Sequence, residues 1–153
     1  MGELPVFRFA FLIVATIGLA STIGCGKKMP TLGEVEGTLT LNGKPLDEVQ
    51  IEFLPDPEKE NFAQASTALT DAQGKFNLSF NGAKNKFGTS VGVNRVIVHD
   101  FKAMNSRDNP MQPRFPGEYT LAAFTPISID VVAGTQTIDI EITKFPLKQP
   151  GKK

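Results

Sequence analysis

Two residue types bound the chemistry open to this chain. There is one cysteine, Cys25, and one histidine, His99. A lone thiol can act as a nucleophile or accept an acyl group, but it cannot close an internal disulfide. One Cys and one His fall short of the three or four N/S ligands of a usual zinc site. His99 precedes Asp100 directly. Consecutive strand residues point to opposite faces, so Asp100 cannot orient the imidazole as the acid of a catalytic triad would. A surface histidine at a strand end is the expectation. Glu34, Glu36, Asp47, Glu48 and Glu52 gather around one hairpin. Paired carboxylates can exchange protons or hold Ca²⁺, but no Asp-x-Asp-x-Asp-Gly loop is present. Solvated strand faces account for these acids. Neither a metal nor a cofactor is expected.

Cys25 stands out by its position. Phe9 to Gly24 is a run of sixteen residues without a charge, preceded by Arg8, and its last residues before the thiol are small. The run is short for a permanent span, which needs roughly 20 apolar residues. It suits the apolar region of a secretory leader, with Ala20, Ser21, Thr22 and Gly24 before the cleavage point. An ordinary secretory leader, or an uncleaved helix with a chance cysteine, is the alternative. Gly26 to Gly33 is short and polar with a Pro, and reads as a tether.

The rest of the 153-residue chain suits one domain. Hydrophobic residues make up 41% and charged residues 21%, a globular rather than disordered mixture. Sixteen Lys and Arg balance sixteen Asp and Glu. A nucleic-acid binder would carry a basic excess, so no nucleic-acid partner is expected. With 14 Gly and 11 Pro, the chain is rich in turns.

From Glu34 onward the apolar period is two. Val35, Leu39 and Leu41 predict a strand, and Asn42-Gly43 predicts a tight hairpin. Val49, Ile51 and Phe53 predict a second strand, ended by Pro55 and Pro57. Asp56 to Asn61 is a charged loop, and Ala63 to Thr70 a weaker strand. Asp71-Ala72-Gln73-Gly74 predicts a turn, followed by a strand with Phe76, Leu78 and Phe80 on its core face. Val91 to Phe101 predicts a central strand around Val96-Ile97-Val98. Ile127, Ile129 and Val131, then Ile138, Ile140 and Ile142, supply the last two. Seven strands in about 110 residues predict an all-β, Greek-key β-sandwich.

Two resemblances attach to these residues. Thr22-Ile23-Gly24-Cys25 resembles the lipobox of bacterial lipoproteins. That resemblance implies a signal peptide over 1–24, cleavage before Cys25, and acyl chains of the palmitate type on the Cys25 thiol and its new amino group. Two chains give stable attachment where one would be marginal. Gly37-Thr38-Leu39-Thr40-Leu41-Asn42-Gly43-Lys44-Pro45-Leu46, with Val49 to Phe53, resembles the opening of a carboxypeptidase regulatory-like domain. Thr70-Asp71-Ala72-Gln73-Gly74-Lys75-Phe76 is similar to its second signature. Pro116, Tyr119, Thr125-Pro126 and Gly134 also match small lipoproteins of this type. The resemblance covers about 34 to 143 and implies a transthyretin-like sandwich. Two enzyme groups on that fold are excluded by count. The urate-pathway hydrolases use several His and a terminal Tyr-Arg-Gly-Ser, and the intradiol dioxygenases use two Tyr and two His; this chain has one Tyr and one His.

The expected organisation is therefore a lipoprotein signal peptide (1–24), a tether (25–33), a β-sandwich (34–145) and a basic tail (146–153). The tail, with Lys144 just before it and Lys148, Lys152 and Lys153 within it, reads as a solvated terminus. The irregular segment Phe101 to Thr125 is too long for a plain connection. It carries Arg114, Phe115 and Tyr119, types enriched at recognition surfaces. They are the candidate partner-facing patch, unless the segment folds back to cap one end of the sandwich. The expected function is a non-enzymatic module on the cell envelope, at the outer membrane or the periplasmic face, held to the membrane by acyl chains on Cys25. It would contact an envelope protein or polysaccharide. An accessory subunit of an envelope enzyme or transporter is the alternative, and an enzyme of unrecognised type the third.

Overall fold

The computed structural model describes residues 29–105 and 112–143. Cys25, the expected signal peptide and the expected basic tail lie outside the described residues. Among those described, eleven strand segments form two sheets.

β1 (Leu32–Leu41) is the spine of the first sheet. Its odd-numbered residues turn inward and its even-numbered ones outward, as the apolar period predicts. Asn42 and Gly43 take φ of 48° and 75°, and β2 (Lys44–Pro45) folds back on Leu41 and Thr40. β5 (Lys75–Asn77) and β7 (Thr89–Ser90) continue that edge, antiparallel to β1. On the other edge β10 (Gly134–Thr137) and β11 (Ile140–Ile142) run parallel to β1.

The second sheet has the order β6-β4-β3-β8-β9. Its members are β3 (Val49–Pro55), β4 (Ser66–Leu69), β6 (Ser79–Phe80), β8 (Gly92–Asp100) and β9 (Ser128–Val131). Val49, Ile51 and Phe53 oppose Asp100, Val98 and Val96 across the β3–β8 pair. Both sheets turn their apolar faces onto one core, in which Val35, Leu39, Ile140 and Ile142 meet Ile51, Phe53, Val96 and Val98.

Eleven segments stand where seven strands were expected, partly because two predicted strands are interrupted. Phe76, Leu78 and Phe80 are all buried as predicted. However, Phe76 lies in β5 of the first sheet and Phe80 in β6 of the second, so the chain changes sheets at Leu78. The closing strand breaks between β10 and β11. There Ile138 N–H donates to the Glu36 carbonyl at 2.8 Å, and the Asp139 carboxylate accepts from Thr38 N–H at 2.8 Å. A side chain thus replaces one ladder acceptor, as at a bulge. The first strand also begins at Leu32, inside the span expected to be tether.

Candidate functional site

Phe115 and Tyr119 do not face outward. They retain 4% and 3% of their surface and belong to the core. A 3-10 turn over Gly117–Thr120 packs against β8 and carries Tyr119 inward, where its hydroxyl lies 3.4 Å from Thr143 Oγ1. Arg114 is pinned beside them. Its guanidinium donates to both oxygens of Asp100, to Asp47 Oδ1 at 2.9 Å and to the Asp47 carbonyl at 2.7 Å. Arg114, Phe115 and Tyr119 therefore form no exposed partner-facing patch; residues 114–120 fold back and seal one end of the core. The physical reason is demand for core: a small β domain spends its aromatics inside.

Asp100 is the hub of that seal. Its carboxylate also accepts from the N–H groups of Ala103 and Arg114, and caps α1 (Phe101–Met104). Burial alone would raise its pKa. The Arg114 guanidinium and the two backbone N–H groups outweigh burial and hold the carboxyl below its ordinary value. Asp47, first through its hydrogen bond with Lys102 and then through Arg114, is also held low. His99 sits half-buried on the opposite face of β8 and opposes Gln50. It shares no face with Asp100, whose carboxylate is already engaged. Glu34, Glu36 and Glu48 are exposed. Among the described residues no three His, Cys, Asp or Glu side chains cluster closely enough to hold a metal ion.

A concavity lies at the other end of the domain. It is a groove of about 530 Å³ whose walls include Met29, Asn61, Phe62, Phe80, Ser90 and Val91. Its floor is a buried polar network. Ser90 Oγ donates to Asn61 Oδ1 at 3.1 Å, and Asn61 Nδ2 donates to the Val93 carbonyl at 3.1 Å. Asn94 Nδ2 donates to the Ser90 and Gly92 carbonyls at 3.0 and 2.7 Å. Beside it, Asp56 accepts from Arg95 Nε at 3.1 Å, and that contact holds its carboxyl low against the pull of burial. These bonds fix a loop of mixed polar composition into one shape.

The rim is apolar and exposed. Phe62 is 76% exposed, Met29 51% and Val91 36%. Val91 N–H donates to the Thr31 carbonyl at 3.0 Å, and Leu32 and Gly33 pair with Ser90 and Thr89. The point where the chain enters the domain is thereby clamped to the groove. The groove walls offer apolar contact, neutral hydrogen-bonding groups and the carboxylate of Glu60, which suits binding. Sequence reasoning missed it. Its one available signal was Phe62, an aromatic isolated between a charged loop and a small-residue strand.

No family model, curated protein or solved structure matches the chain.

Proposed function

We propose that this chain is a lipid-anchored, non-enzymatic module of a bacterial cell envelope. In this reading residues 1–24 are a lipoprotein signal peptide, Cys25 carries the acyl chains, and the domain from Leu32 onward is a transthyretin-like Greek-key sandwich of the carboxypeptidase regulatory-like kind. It works by binding or structural contact at the outer membrane or the periplasmic face. The observation that carries the reading is the position of Cys25. The only thiol of the chain closes a sixteen-residue uncharged run and stands seven residues before the first strand.

Further features support it. The stretch that resembles the family's opening motif forms β1, the Asn42-Gly43 hairpin and β3. The Thr70 to Phe76 stretch forms the turn between β4 and β5, with Asp71 Oδ1 accepting from Gln73 and Lys75 N–H groups. The groove favours binding over a purely architectural role. The non-enzymatic part rests on His99, which lacks an orienting carboxylate on its own face of β8.

The test is acylation of Cys25. Cells fed an alkyne analogue of palmitate should label the wild-type protein, and its intact mass should exceed that of the chain from Cys25 onward by the acyl groups. Cys25→Ala should lose the label and appear in the soluble envelope fraction or as an uncleaved precursor. A Cys25→Ala protein that is fully processed and still membrane-bound overturns the reading.

A further inference from the structure

The exposed side chains Phe62, Met29 and Val91 ring one groove, and the chain enters the domain at that same groove. Resting on the lipid-anchor reading, we propose that this rim is a membrane-docking face, which inserts Phe62, Met29 and Val91 into the headgroup layer of an anionic bilayer. The sandwich would then stand on the membrane in one orientation rather than swing freely on its tether.

The length of chain between anchor and domain makes the argument. Thr31 is bonded to Val91, so the connection has no slack beyond it. Cys25 lies six residues earlier, a reach of at most about 21 Å when fully extended. β8 runs from Gly92, at the groove, to Asp100, at the Arg114 seal. Nine residues of strand span roughly 26 Å. The tether cannot lay the Asp100 end on the lipid without tipping the domain over, whereas it brings the groove rim to the headgroups directly.

Composition at the rim agrees. An apolar patch set among basic residues is the surface that lies in a membrane interface. Lys27 and Lys28 stand between Cys25 and Met29. Lys84 and Lys86 are exposed on the loop that brings Gly82 to the groove wall, and Lys59 precedes Glu60 on the opposite wall. Against these stand Glu60 and Glu58; Glu58 is paired with Arg95 at 2.9 Å. Each basic residue near an anionic leaflet contributes on the order of 1 kcal/mol. Phe62 also has no packing reason to be where it is, since most of its surface is open.

The chain has no Trp, so a single introduced indole reports alone. The lipidated protein, from Cys25 onward, is placed in vesicles of phosphatidylethanolamine and phosphatidylglycerol, with and without brominated acyl chains, as Phe62→Trp and separately as Met104→Trp. Met104 is 71% exposed at the far end of β8, so both indoles start in water and neither substitution disturbs the core. Phe62→Trp should shift to the blue and lose roughly half of its emission to brominated lipid, as an interfacial side chain does. Met104→Trp should change little. Replacing phosphatidylglycerol with phosphatidylcholine should weaken the Phe62→Trp quenching. Equal quenching of the two indoles, or none, with Cys25 acylated by mass overturns the docking face and leaves the anchor reading intact. A blue shift that tracks protein density but not bromination identifies a second copy in the groove and also overturns it. A Cys25 without acyl mass removes both readings together.

Discussion

Asp100 keeps 3% of its surface and answers four donors from Arg114 and Ala103. Its carboxyl is held below the ordinary value by those donors in spite of burial. A folded-state pKa below the unfolded value, near 3.9, means that ionisation favours the folded chain. That stabilisation is complete above the unfolded pKa and disappears as pH falls through the folded one. The melting temperature should therefore drop on acidification below about pH 4, and Asp100→Asn should flatten part of that drop. At neutral pH Asp100→Asn should cost about 2–3 kcal/mol, because it leaves a half-buried guanidinium without its main partner. Arg114→Lys, which keeps charge but loses the planar fork, should fall between. Thermal melts from pH 3 to pH 7 check all three. A neutral-pH melt of Asp100→Asn equal to wild type would show that the pair does not secure the segment. The exposed Arg95–Glu58 contact carries no comparable expectation, since Glu58 is 77% exposed in its side chain.

The interruption between β10 and β11 is an element-scale device. β1 must accept a parallel neighbour on one edge while three short strands pair with the other. At the break the Ile138 carbonyl comes so close to Gly37 that a Cβ there would collide with it. Gly37 is therefore required for close approach, and Asp139 supplies the acceptor that the broken ladder would otherwise deny to Thr38. Gly37→Ala should destabilise by roughly 1–3 kcal/mol, the range for forcing atoms into a filled site. Hydrogen exchange should show the loss first at Thr38 and Ile138. A stability change within about 0.5 kcal/mol would mean that the closing strand shifts freely and that the break is not held by Gly37.

At the scale of the whole molecule, the two ends of the sandwich are built differently. One end is sealed by the returning segment, through Phe115, Tyr119 and the Arg114–Asp100 pair. The other is open, with the groove and the chain entry. Phe115→Ala should cost about 3–5 kcal/mol, the penalty for emptying a buried aromatic site, read as a lower urea midpoint with an unchanged slope. A loss below about 1 kcal/mol would return the segment to the surface.

Much of the sandwich is legible in local signals. The alternation of Val35 with Leu39, of Val49 with Phe53 and of Phe76 with Phe80 depends only on the two-residue period of a strand. Asn42-Gly43 and Asp71 to Gly74 are turns by their own backbone preferences. Tertiary structure alone decides which neighbour each strand meets, because period two sets a face and not a partner. Hence the parallel pairing of Gly33 with Gly134 has no local mark, and neither does the change of sheet at Leu78. The irregular segments have no period at all. Phe62, Phe115 and Phe124 are the same residue type, each in a stretch without strand alternation. Yet Phe115 is buried while Phe62 and Phe124 stay 76% and 63% exposed. What separates them is whether a core with unfilled space lies within reach. In the same way Arg114 finds Asp100 and Asp47 at separations of 14 and 67 residues, and Asn61 finds Ser90 at 29. Burial of a polar group is tolerable only once a distant partner has arrived, and no window along the chain contains that partner.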